Sequence, residues 1–103
     1  MVMHTSARVS RAARQIGENL LIWRKLQGLT AAQLADRAGV SRTTLSKLEH
    51  GDSGVSLGVV LEVLRGLGRL DALVEATDPY ESDLGRIRAS QELPRRVRRT
   101  EAG

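Results

Sequence analysis

The sequence predicts an all-α domain, on three observations. Apolar residues make up 41% of the chain, but with one Trp, one Tyr and no Phe the core has to be aliphatic. Two prolines and no useful stretch of period-two alternation leave little room for strands. Apolar residues instead recur three and four apart between capping residues, in several successive stretches. At 103 residues the chain is long enough for one compact domain.

Taken in order, residues 1–11 contain nothing apolar enough to anchor them and are expected to form a flexible arm. If this part becomes helical, Arg8, Arg11 and Arg14, three apart, fall on one basic stripe. A helix is expected from about Ala12 to Gln27, with Ile16, Leu20 and Trp23 at i, i+4 and i+7 as its core stripe. Leu21, Ile22 and Leu26 do not fit that stripe. They form a second apolar set, read either as a protein-contact surface or as extra core covered by the chain ends.

The stretch Thr30–Gly51, TAAQLADRAGVSRTTLSKLEHG, reads as two short helices joined by a tight turn. Thr30 caps the first, and Gln33 three residues on completes a Thr-x-x-Gln capping box. Leu34, Ala35 and Ala38 share one face, with Ala35 small where the two helices must cross. Gly39 stands where a helix ends in the left-handed conformation. Val40 plugs the turn, Ser41 caps the second helix, and Leu45 and Leu48 point inward. Arg42, Thr43, Ser46 and Lys47 are left facing outward, on a helix short enough for a DNA major groove.

Beyond a loop at DSGVS, Ser56 caps a strongly apolar helix running to about Leu67. Leu70, Leu73 and Val74 continue the spacing in a short fifth helix that stops before Asp78-Pro79. The globular unit is thus expected over 12–77. Residues 78–103 read as a partly ordered tail in which Ser82 can cap a short helix through Arg88, with the last ten residues disordered.

Composition excludes several classes of function. There is no cysteine, hence no disulfide framework and no thiolate chemistry. His4 and His50 lie far apart and lack carboxylates at metal spacing, and no nucleophile–base constellation or phosphate-cradling glycine loop is visible. No enzyme, cofactor or metal is therefore expected. No apolar run approaches the ~18–20 residues that span a bilayer. The N-terminus lacks the apolar region of a secretory signal, so a cytoplasmic, DNA-associated location is expected. The net charge of +4 is uneven: the first thirty residues carry most of the basic excess, whereas residues 51–80 are net acidic.

With GLTAAQLADRAGVSRTTLSKLEHG preceded by an arginine-bearing helix and followed by SLGVVLEVLRGLG, the chain resembles the Xre/Cro type of lambda-repressor-like helix-turn-helix proteins over about Ile16–Leu73. The DSGVS loop, the leucine-rich SLGVVLEVLRGLGRLDALV and the polar tail also resemble the antitoxins that pair with HipA-type kinases. The resemblance implies a compact five-helix fold and a dimeric repressor on a palindromic double-stranded DNA operator, autoregulating as an antitoxin. The alternative it leaves open is an inhibitor of a partner kinase for which DNA binding is secondary. By position it places Arg42, Thr43 and Lys47 at base edges. Ser41, Thr44, Ser46 and His50 fall near phosphates, with Gln33 as a further candidate. Arg24 and Glu49 match a structural pair. Leu21, Ile22, Leu26, Leu70 and Leu73 are the candidate dimer or partner surfaces. One departure stands out: the family usually has Gln directly after the first motif cap, and here that position is Ala31.

Overall fold

A computed structural model describes residues 5–93, and these form six α-helices and a single 3-10 turn, with no strand among them. The chain divides into two compact units, one through Leu70 and one from Asp71. The expected disorder of the last ten residues lies outside the described part of the chain.

In the first unit, α1 (Ala7–Leu26) begins about five residues before the apolar spacing places it. Ser6 is the reason: its hydroxyl accepts from the Val9 amide at 3.2 Å, and the Ser6 carbonyl accepts from Ser10 at 2.9 Å. The start is thus set by a cap and by helix-favouring Ala and Arg residues rather than by burial. The two motif helices, α2 (Ala31–Ala38) and α3 (Arg42–Glu49), follow the expected caps closely. Thr30 and Gln33 close a reciprocal capping box at 3.0 and 2.8 Å. Gly39 takes φ 71°, a left-handed turn that costs other residues about 1–2 kcal/mol. Ser41 caps α3 by accepting from the Thr44 amide at 3.0 Å.

Ser56 opens α4 (Leu57–Gly66), which packs on α2 through small residues. A methyl group at Gly66 would come within 3.1 Å of Leu34 Cδ1. The core is made of Leu20, Leu34, Ala35, Ala38, Leu45, Leu48, Val63 and Leu67, with Trp23, Val40, Val60 and Leu64 partly buried against it. Its two ends are tied by polar bonds. Gln27 Nε2 donates to the Leu67 carbonyl at 2.8 Å, and Arg65 Nη2 donates to the Arg37 carbonyl at 3.1 Å.

One core assignment is corrected. Ile16 is 49% exposed, whereas Gly17 beside it is buried. The inward stripe of α1 is Gly17, Leu20 and Arg24, shifted from the apolar spacing. The cause is how closely α3 approaches: a methyl group at Gly17 would lie 2.8 Å from the Glu49 carbonyl oxygen and closer still to that of Leu48. Ile16 is thereby rotated to the rim of a shallow apolar groove with Val9, Ala13, Val55 and Val60.

The second unit holds most of α5 (Leu70–Ala76), a 3-10 turn at Pro79–Glu81 and α6 (Asp83–Glu92). A sixth helix thus adds to the expected five. Ser82 does cap it, accepting from the Gly85 amide at 3.0 Å, and it runs past Arg88 to Glu92. Neither α5 nor α6 contains a buried residue.

Gly17 and Gly58 offer a test with opposite signs. Gly17→Ala should destabilise the protein by about 2 kcal/mol, because backbone oxygens have nowhere to go. Gly58→Ala, where the nearest atom is Ser56 Oγ at 3.9 Å, should stabilise it by up to about 1 kcal/mol through helix propensity. Urea denaturation of both variants measures the difference, and equal effects would contradict the close approach of α1 and α3.

Candidate nucleic-acid interface

The outer face of α3 is built by subtraction. Leu45 and Leu48 are its buried residues, which leaves Arg42, Thr43, Ser46 and Lys47 exposed on the opposite side. These four, with His50, Ala31, Arg24 and Glu49, line one open cleft of about 820 Å³ between the start of α2 and the length of α3. Sequence-predicted base-reading residues Arg42, Thr43 and Lys47 are therefore brought together. Neither Arg42 nor Lys47 has an ion-pair partner among the described residues.

The small polar groups around them are partly committed. The Ser41 hydroxyl serves the cap and donates its own proton to Thr44 Oγ1 at 2.9 Å. Thr44 thus accepts from within the cap and keeps its hydroxyl hydrogen to offer. His50 Nδ1 lies 2.8 Å from the Ser46 carbonyl oxygen. A carbonyl only accepts, so the bond assigns the proton to Nδ1 and leaves Nε2 unpaired among the described residues. Gln33 is held in the capping box, and any phosphate contact by its carboxamide oxygen would have to break a 2.8 Å bond. Ala31, the first residue of α2, is half-buried on the cleft wall and offers no polar atom beyond its backbone.

Arg24 and Glu49 form the expected pair. Arg24 Nε and Nη2 donate to the two Glu49 oxygens at 2.8 and 3.1 Å, a fork-on-fork arrangement, and Nη1 donates to the Leu29 carbonyl at 3.1 Å. Their side chains are 12% and 6% exposed. The hydrogen bond from Arg24 to Glu49 raises the guanidinium pKa above its ordinary value despite the opposing effect of burial. The pair joins the C-terminal part of α1 and the loop before α2 to the last turn of α3. One glycine that sequence spacing overlooked, Gly17, completes this brace from the other side. Its only signal was a small residue interrupting an otherwise apolar helix face.

The remaining candidates are the apolar ones. On α1, Leu21 is half-buried, while Ile22 is 47% and Leu26 72% exposed. On α5, Leu70 and Leu73 are both half-buried.

A short capped helix, presenting cations and hydroxyls on one face and braced on the other, is the class of structure that docks in a DNA groove. The helix-turn-helix family matches residues 20–73, more than half of the chain, from the middle of α1 into α5. The chain belongs to this family, of the Xre/Cro-like type, whose members are DNA-binding transcription regulators. Comparison with the curated proteins finds no match.

Removing one member of the brace should be costly. Glu49→Ala leaves Arg24 buried without its carboxylate and should destabilise the domain by about 3 kcal/mol, whereas the double change Arg24→Met, Glu49→Met should recover much of that loss. Thermal denaturation of the three proteins checks this; a double variant no better than the single one would show that the pair stabilises beyond avoiding an orphaned charge.

Proposed function

We propose that the protein is a sequence-specific repressor that reads double-stranded DNA with α3. The observation that carries this reading is the cleft face itself: two cations without an ion-pair partner among the described residues and two hydroxyls, those of Thr43 and Ser46, on one side of a helix held by Arg24 and Glu49. Arg42 and Lys47 suit the O6 and N7 acceptors of guanine, and the Thr43 methyl suits that of thymine. Thr44 and Ser46 supply hydroxyl donors to phosphates, His50 stands beside them with its Nδ1 proton already donated to the Ser46 carbonyl, and Ser41 presents the helix N-terminus, fixing register without reading sequence. Gln33 joins them only where its capping bond opens. With Ala31 in place of the family's usual glutamine, the backbone hold falls more heavily on these residues.

An eight-residue helix reads few base pairs, so the protein acts as a two-fold dimer on a palindromic operator, its recognition helices about 34 Å apart. Exposed Leu57 on α4 is one apolar residue such an interface can use, and α5 offers half-buried Leu70 and Leu73 and exposed Val74. In this reading the operator lies upstream of the protein's own gene and binding is autoregulatory.

A second reading is favoured by a specific observation. Helix α6 leaves Leu84 63% and Ile87 56% exposed, and no residue of α5 or α6 is buried. Such helices gain most of their stability from an apolar surface supplied by something else. A protein partner, such as a HipA-type kinase held in check by an antitoxin, would supply it. Ile22 and Leu26 on α1 are a further patch of this kind.

Two measurements separate these readings. Arg42→Ala and Lys47→Ala should each cost about 1–3 kcal/mol of binding to DNA from upstream of the gene and little on scrambled DNA. Equal losses on both would show that the residues do not read bases. Deleting residues 78–103 should spare DNA binding while weakening capture of a co-purifying kinase partner; full capture by the truncated protein would remove the tail from the partner interface.

A further inference from the structure

We propose that the N-terminal half of α1 is a second DNA-backbone contact, in which Arg8, Arg11 and Arg14 grip phosphates beyond those reached from α3. This rests on the DNA-binding reading above but adds a site to it.

Four observations lead there. First, burial does not account for this part of the helix: Gly17 and Leu20 are the buried residues of α1, and nearly three turns precede them. Second, the three arginines lie at i, i+3 and i+6 on those turns, are all exposed, and have no ion-pair partner among the described residues. Third, Arg8 sits in the first turn of α1, where a cation is unfavourable without an anion beside it. A helix N-terminus carries partial positive charge and favours acidic residues, yet the first turn of α1 has none. Glu18 is the single acid on the whole helix, four residues past Arg14. Fourth, the ridge adjoins the recognition helix. Gly51 follows His50 at the end of α3, and a methyl group on it would lie 2.7 Å from the Cα of Arg14. The neighbouring acid, Asp52, is engaged by the Gly54 amide at 2.7 Å.

A duplex seated on Arg42, Thr43 and Lys47 that continues past His50 therefore meets Arg14 first, then Arg11 and Arg8 one and two turns out. From Arg8 to Arg14 the helix rises ~9 Å, while phosphates on one DNA strand advance ~3.4 Å along the axis. The ridge thus spans about two to three phosphate steps. Contacts of this type carry no sequence information and act through release of counterions.

The test needs no knowledge of the operator. A labelled random-sequence duplex is titrated at several salt concentrations with the full chain, with the triple change Arg8→Gln, Arg11→Gln, Arg14→Gln, and with the same three positions as Lys. Glutamine keeps helix propensity, and circular dichroism confirms that the helix is retained. The Gln variant should lower the steepness of log K against log salt by about two and weaken binding on the order of 10–100-fold at moderate salt, while the Lys variant restores both. An unchanged slope in the Gln variant overturns the proposal, as does a Lys variant that behaves like Gln. If the unaltered chain binds no duplex at all, the underlying DNA-binding reading fails instead, which is a different result.

Discussion

Everything that makes the outer face of α3 usable depends on how α3 is held against α1. The helix has eight residues and buries only two of them, Leu45 and Leu48, so hydrophobic contact alone would leave its tilt and rotation loosely set. The Arg24–Glu49 fork resolves this. Two parallel bonds at 2.8 and 3.1 Å fix an orientation as well as a distance, and Arg24 passes the constraint to the Leu29 carbonyl just before α2. Burial makes the pair exacting: neither charge is well solvated, so each is tolerated only in the geometry that satisfies the other. Gly17 supplies the matching steric condition by letting the carbonyls at the end of α3 sit against the backbone of α1.

The other elements build outward from that brace. Thr30 and Gln33 start α2 at a defined residue, and Gly39 turns the chain so that Ser41 starts α3 at the next. The inner side of α2 is then covered by α4, whose Gly66 allows contact with Leu34, and Val63 and Leu67 complete the aliphatic core. The arrangement uses small residues wherever helices cross and polar residues wherever they end. Side chains with hydrogen-bonding capacity line the cleft along α3, and they give the face its chemistry.

Much of this was legible in the sequence because it is encoded locally. A cap, a capping box and a left-handed glycine each involve residues within a few positions of one another, and Thr30, Gln33, Gly39, Ser41, Ser56 and Ser82 all act as their spacing implies. The outward set Arg42, Thr43, Ser46 and Lys47 followed from the inward Leu45 and Leu48. What spacing could not provide was the effect of a partner helix distant in sequence. Ile16 has the right periodicity for the core, yet it is displaced because α3 presses on Gly17, a contact between residues some thirty positions apart. The start of α1 was missed for a different reason: apolar periodicity carries no information about a helical stretch that buries nothing, and only the Ser6 cap marks it. The Arg24–Glu49 pair was reached through family resemblance, since two opposite charges twenty-five residues apart give no local signal.

The most direct measurement is a two-dimensional amide NMR titration of the labelled protein with a DNA duplex. The account predicts that the largest shifts map to Ser41–His50 and to the start of α2 at Ala31, with the amides of Leu34, Val63 and Leu67 nearly unmoved because the brace holds α3 ready for its groove. Shifts centred on α4 or α6, with Arg42, Thr43 and Lys47 unaffected, would contradict it.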